Sequence, residues 1–128
     1  MRLLFLSVGL LGLLAAALAM NVGRLRHRKK ISLGDGGDPE MLAAIRAHAN
    51  FIEFVPLTLF MIFTVMDHYG GPTSGTMAGV LLVSRLLHAG GMLGFVKYGR
   101  TLGAMGTMTV LIVASLWILL YVLGLKPY

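Results

Sequence analysis

The chain has no cysteine. Disulfides and a protein thiol nucleophile are therefore excluded, and any thiol chemistry must use a thiol carried by a substrate. Charge is scarce too: charged residues make up 12% of the chain, about half the share of an average soluble domain. Acids are the rarer sign, with five Asp and Glu against eleven Lys and Arg. Internal repeats and low-complexity tracts are absent, which excludes solenoid and array architectures.

What fills the chain is apolar: 57% of its 128 residues. That length suffices for four spans of ~20 residues with short loops and no separate soluble domain. A net charge of +6 would suit nucleic acid, but the basic residues flank apolar runs. Attraction to membrane lipids and control of topology explain them better, and we expect no nucleic-acid partner.

Met1 to Ala19 resembles a signal peptide, with Arg2 before an apolar run and Ala17-Leu18-Ala19 as a cleavage-like site. We read it as a retained first span over residues 3–22, with Gly9, Gly12 and Ala16 suited to close helix packing. The loop that follows is basic through Arg24, Arg26, His27, Arg28, Lys29 and Lys30, then glycine-rich. Asp38-Pro39-Glu40 is a helix start: an N-cap aspartate, proline at the first helical position and an acid in the first turn. Span two covers residues 41–66, with a bend expected at Pro56 where the carbonyl of Ile52 loses its partner. Ser74 is the expected cap of the next helix. Spans three and four cover residues 76–98 and 102–125, and Gly90, Gly94, Gly99 and Gly103 give spacings for close helix approach. The expected fold is all-α: an integral membrane four-helix bundle forming one domain over residues 1–128. Loops one and three hold most of the Lys and Arg, whereas loop two and the termini hold only Arg2 and Lys126. Loops one and three are thus expected in the cytoplasm and both termini outside.

Within span two, Arg46, Asn50 and Glu53 recur at i, i+4 and i+7 and share one helical face. Ionisable residues at membrane depth cost several kcal/mol and mark sites. Measured from Met41, they lie roughly 8, 14 and 18 Å deep at 1.5 Å per residue. Counted back from Lys97 along an antiparallel span three, Met92, His88 and Arg85 reach the same depths. Glu53 and Arg85 are expected to form a structural ion pair, because a buried acid needs a cation nearby. One carboxylate cannot neutralise two arginines, so Arg46 and Asn50 are assigned to an anionic ligand arriving from the cytoplasmic side. His88 is balanced between helix packing and ligand contact. Arg26 and Arg100 are positioned to surround that ligand.

Arg46-Ala-His-x-Asn50-x-x-Glu53 followed by Pro56 resembles the span-two signature of glutathione-dependent members of the MAPEG family, the membrane-associated proteins in eicosanoid and glutathione metabolism. Arg85-x-x-His88 extends the resemblance to span three. Arg100-Thr101 resembles the arginine–hydroxyl pair of the prostaglandin E synthase branch. The resemblance covers nearly the whole chain, although Met92 and Phe54 stand where relatives carry tyrosine. It implies a homotrimer with glutathione between neighbouring subunits. Arg26, Arg46, Asn50, Glu53 and His88 would bind the tripeptide, and Arg100 would lower the thiol pKa as the catalytic residue.

The function this reading implies is that of a membrane glutathione transferase, with peroxidase activity as a variant. It would join glutathione to a lipophilic small molecule received at an apolar wall of spans one and four. Charge stabilisation and approximation suffice, so no metal is implied. The alternative is a non-catalytic lipid-binding or scaffold protein of the same fold. A proton-coupled transporter using Glu53 ranks third, because pairing with Arg85 would hold the carboxylate ionised.

Overall fold

A computed structural model describes residues 1–125. Lys126, one of the two basic residues expected on the outer side, lies outside the described residues. The chain forms four helices in order, α1 (Arg2–Lys29), α2 (Pro39–Tyr69), α3 (Gly71–Met92) and α4 (Gly99–Val122). The central pair α2 and α3 pack against each other and against both outer helices, whereas α1 and α4 do not touch.

In α1 the buried leucines Leu4, Leu11, Leu18 and Leu25 recur every seven residues and lay one stripe into the core. Gly9 and Gly12 lie off that stripe with nothing within 4 Å, so the close packing expected there does not occur within the subunit. The helix runs on through the basic segment and ends when Lys30 turns left-handed at φ 55°.

Local chemistry sets the start of α2. The Asp38 carboxylate accepts from the Met41 N–H at 2.8 Å and Pro39 fills the first turn. The helix continues through Pro56 to Tyr69, and its inner face is built by Ala44, Ala47, Phe51, Val55, Thr58, Ile62 and Val65.

Helix α3 begins and ends earlier than its hydropathy suggests. Gly70, at φ 87°, lets the chain turn directly from α2 into α3. Ser74 therefore lies inside the first turn, donating to the carbonyl of Gly71 at 3.1 Å, and is not the N-cap. At the other end Gly94 adopts φ 84°, and the Phe95 and Val96 N–H groups both turn back to the Gly90 carbonyl. Apolar residues 93–96 thus form a turn and not a last helical turn.

Helices α3 and α4 meet backbone to backbone. A Cβ on Gly91 would overlap the start of α4 at Gly99 and Arg100, and one on Gly103 would overlap Ser84 and His88. Glycine at these positions is what allows the approach.

By length and composition α1, α2 and α4 can each cross a membrane. Helix α3 has 22 residues, but its polar residues Ser74, Ser84, Arg85 and His88 turn inward and are buried. Outward-facing Leu13, Met20, Phe60 and Leu116 leave a large apolar surface uncovered by the subunit, as a protein solvated by lipid requires.

Candidate functional site: a cationic cleft between α2, α3 and α4

The first turns of α2, the last turn of α3 and the first residues of α4 enclose a cleft of about 430 Å³. Pro39, Leu42 and Ala43 form one wall, Gly91 and Met92 another, and Arg46, Asn50, His88 and Arg100 supply its polar groups. The structure therefore brings together four of the six expected ligand residues. Arg46 and Arg100 are exposed and have no hydrogen-bond or ion-pair partner among the described residues. No acid lines the cleft, so its charge is uncompensated by the subunit.

Behind the cleft, Arg85 is 1% exposed. Its Nη2 donates to Asn50 Oδ1 at 2.9 Å and to His88 Nδ1 at 3.1 Å, and its Nη1 donates to Thr107 Oγ1 at 3.3 Å. The guanidinium also lies 5.7 Å from the centre of the Phe51 ring. The expected Glu53–Arg85 ion pair is absent from the subunit. At 3.6 residues per turn Glu53 is rotated by about 200° from the inward Phe51, which leaves it exposed on the opposite side of α2. Asn50 takes the place assigned to the carboxylate.

Arg26 also departs from expectation. Its Nη1 points at the carbonyls of Ile31, Ser32 and Gly34, the last at 3.0 Å, and so braces loop one from inside. It borders a separate hollow with His27, Lys30, Ile31 and Ser32. The apolar wall assigned to the first and fourth spans is likewise not built within one subunit, because α1 and α4 do not meet.

A clamp closes loop one over the cleft wall. Arg28 makes a two-pronged contact with Glu40 at 2.7 and 2.8 Å, and Lys29 reaches Asp38 at 2.6 Å and Glu40 at 2.9 Å. The Lys29 hydrogen bond, then the Met41 N–H, holds the Asp38 carboxyl below its usual range. Hydrogen bonds from Lys29 and then Arg28 do the same for Glu40. In turn Asp38, then Glu40, raises the Lys29 ammonium above its usual value. Pro39, between the two acids, is fixed as part of the cleft wall.

Thr107, Gly91 and the loop-one clamp were not singled out in the sequence. The only signal for Thr107 was a hydroxyl one turn after Gly103 in an apolar helix. For the clamp it was two acids facing a run of cations across a glycine-rich loop.

An open four-helix arrangement, an inward-facing polar α3 and a cationic cleft at one end define a multi-pass integral membrane protein, and the chain belongs to the MAPEG family, whose model matches residues 4–120. It is similar to Inner membrane protein YecN of Escherichia coli strain K12, being 31% identical over 109 residues that cover 82% of this chain and 83% of that protein. The protein of the same name from Escherichia coli O6:H1 strain CFT073 matches to the same extent.

Proposed function

We propose that this protein is a membrane glutathione transferase that activates the glutathione thiol for attack on a lipophilic electrophile. The observation that carries the reading is the cleft itself: Arg46, Asn50, His88 and Arg100 converge on a space with no acid in it. Such a site suits a ligand with excess negative charge, and a tripeptide with two carboxylates and one ammonium is one. Glutathione supplies the nucleophilic thiol that the chain lacks.

Each group has a role that its position supports. Arg46, at the cleft mouth, binds a carboxylate. Asn50 and His88 fix the peptide portion from the inner wall. Arg100, free of any partner among the described residues, favours the thiolate over the thiol. The sulfur then forms its bond to the electrophilic carbon while the leaving group departs with the former bonding pair.

The wider reading places four spans in the membrane as a single domain, assembled as a homotrimer in the inner membrane with the ligand between subunits. An assembly would explain two features of the subunit: the exposed Glu53 at span depth, and the unmet outer faces of α1 and α4. Glu53 would then be available to the ligand ammonium, and Arg26 would hold loop one near a carboxylate. Loops one and three are assigned to the cytoplasm by their charge. The C-terminal part of α1 at Arg24 and the α3–α4 turn at Phe95 line one hollow, which puts the two loops at the same end of the subunit. Because the chain has no cysteine, single cysteines at Ser32 and Thr73 report orientation directly. Ser32→Cys is expected to label from the cytoplasmic side and Thr73→Cys from the other.

The test of function is calorimetric titration of glutathione into the detergent-purified oligomer, wild type beside Arg46→Ala. Saturable binding weakened at least about tenfold in the variant fits loss of a charge-assisted contact. An assembled oligomer that binds no glutathione would discard the transferase reading. Met92, which brings no hydroxyl to the cleft, favours the non-catalytic binding protein as the second reading.

A further inference from the structure

Two residues of the cleft wall, Asn50 and His88, can act as donor or acceptor, unlike the arginines beside them. In both, the acceptor atom is already taken, and by the same nitrogen. Arg85 Nη2 donates to Asn50 Oδ1 and to His88 Nδ1. A guanidinium has no acceptor, so neither partner can reverse its role. Flipping the Asn50 amide, or protonating His88 at Nδ1, would set N–H against N–H around a side chain that is 1% exposed. That leaves buried donors unmet.

Arg85 is itself held in place. Its Nη1 donates to Thr107 Oγ1, whose own proton goes to the Gly103 carbonyl at 2.8 Å. The Phe51 ring centre lies 5.7 Å from its guanidinium carbon, within cation–π range, whereas its buried Nε has no partner among the described residues. Donation therefore runs in one direction: from Arg85 outward to the inner sides of Asn50 and His88, leaving their opposite edges as donors.

We infer that Arg85 is a positioning residue that sets the hydrogen-bonding polarity of the cleft: it locks His88 as the neutral Nε2–H tautomer and presents the Asn50 amide NH2, so that with Arg46 and Arg100 the polar wall offers donors only. Such a wall accepts carboxylate or thiolate and rejects an ammonium or an amine head group. The identity of glutathione as ligand rests on the proposed function. The tautomer does not, because it is fixed within the ligand-free protein.

The experiment is ¹⁵N NMR of the detergent-solubilised protein labelled at its four histidines, with His88→Gln identifying the His88 signals. The expected wild-type pattern is a protonated Nε2 and a bare Nδ1, and Arg85→Met is expected to lose that single tautomer. A wild-type His88 with its proton on Nδ1, or a mixture of both forms, overturns the inference. So does a folded Arg85→Met that keeps the Nε2–H form intact. Should that variant not assemble, the wild-type spectrum decides alone.

Ligand titration separates this inference from the functional reading. Glutathione is expected to shift the His88 Nε2 signal and to bind at least about tenfold more tightly than its diethyl ester, whose carboxylates are masked. Equal binding of acid and ester overturns the donor-only wall. Failure of both to bind, with the tautomer as expected, removes glutathione and leaves the role of Arg85 standing.

Discussion

Replacing Gly103 by alanine tests the contact that holds the cleft together. In an uncrowded helix the change would stabilise by up to ~1 kcal/mol, because alanine is the better helix former. Here the added methyl would lie 2.6 Å from the His88 Cβ and closer still to backbone atoms of Ser84 and His88. Carbon atoms pack at about 3.5–4.0 Å, so α3 and α4 must part by roughly 1 Å. The obstructing atoms are backbone and cannot rotate aside. Overpacking of this kind costs about 1–3 kcal/mol, or a loss of about 4–12 °C in melting temperature. The same displacement moves His88 relative to Arg100; on the proposed transferase reading this lowers turnover as well, since a ~1 Å misplacement at a reacting centre can cost about a hundredfold. Thermal unfolding of the purified protein, with Gly12→Ala as control, checks the sign. Gly12 has nothing within 4 Å, so its substitution is expected to leave the subunit as stable as before or slightly more so. A Gly103→Ala protein that melts no lower than wild type refutes the close approach of α3 and α4.

Three further outcomes follow from the site and its loop. On the proposed transferase reading, Arg100→Ala should abolish turnover by removing the cation assigned to the sulfur, while assembly and glutathione binding persist; an ultraviolet titration of bound thiolate reads the effect, and unchanged thiolate would remove Arg100 from its role. Met92→Tyr should place a hydroxyl in the cleft wall and raise the thiolate fraction at neutral pH, by the same titration, since a hydrogen bond to the charged form favours it. The loop-one clamp should loosen at both pH extremes, as followed by hydrogen exchange at residues 30–40. Asp38 and Glu40 are held below their usual range, so their contribution is present above the unfolded carboxylate pKa and lost as pH falls through the folded one. Lys29 is raised, so its contribution is full below the unfolded lysine pKa and lost as pH rises through the folded one. High salt should loosen the same segment at neutral pH, by screening the exposed Arg28–Glu40 pair most and the half-buried Lys29–Asp38 pair less.

Features that depend on neighbours in sequence were the ones legible before folding. Asp38-Pro39-Glu40 announces a helix start because capping is settled within four residues, and the Asp38–Met41 bond is as that triplet requires. The spacing of Arg46 and Asn50 correctly places both on the cleft, since one turn of helix separates them. Glu53 marks where this logic stops. Arg46, Asn50 and Glu53 lie within about 60° of one another around α2, but the cleft lining reaches along the helix only as far as Asn50, and Glu53, about one turn further on, is exposed beyond it. The end of α3 was hidden for a different reason. Leu93, Phe95 and Val96 continue the apolar run, while the turn is made by Gly94 at φ 84° and by backbone bonds to Gly90, neither of which hydropathy registers.

Helix α3 joins these observations into one argument. It is absent from the helices apolar enough to cross a membrane by composition, yet it packs against all three of the others. Its polar residues make it look unlike a span, and neighbouring helices meet part of their demand. The Arg85 terminal nitrogens donate to Asn50 of α2 and Thr107 of α4, and its guanidinium carbon lies 5.7 Å from the Phe51 ring centre of α2, while its buried Nε has no partner among the described residues. Glycines on both sides of the α3–α4 seam bring the backbones close enough for these bonds to form. A membrane helix can carry polar groups where adjoining helices supply their partners. The central helix of the subunit is therefore the place where such groups are tolerated. It is also the place where Arg85 and His88 can be held rigid enough to shape the cleft.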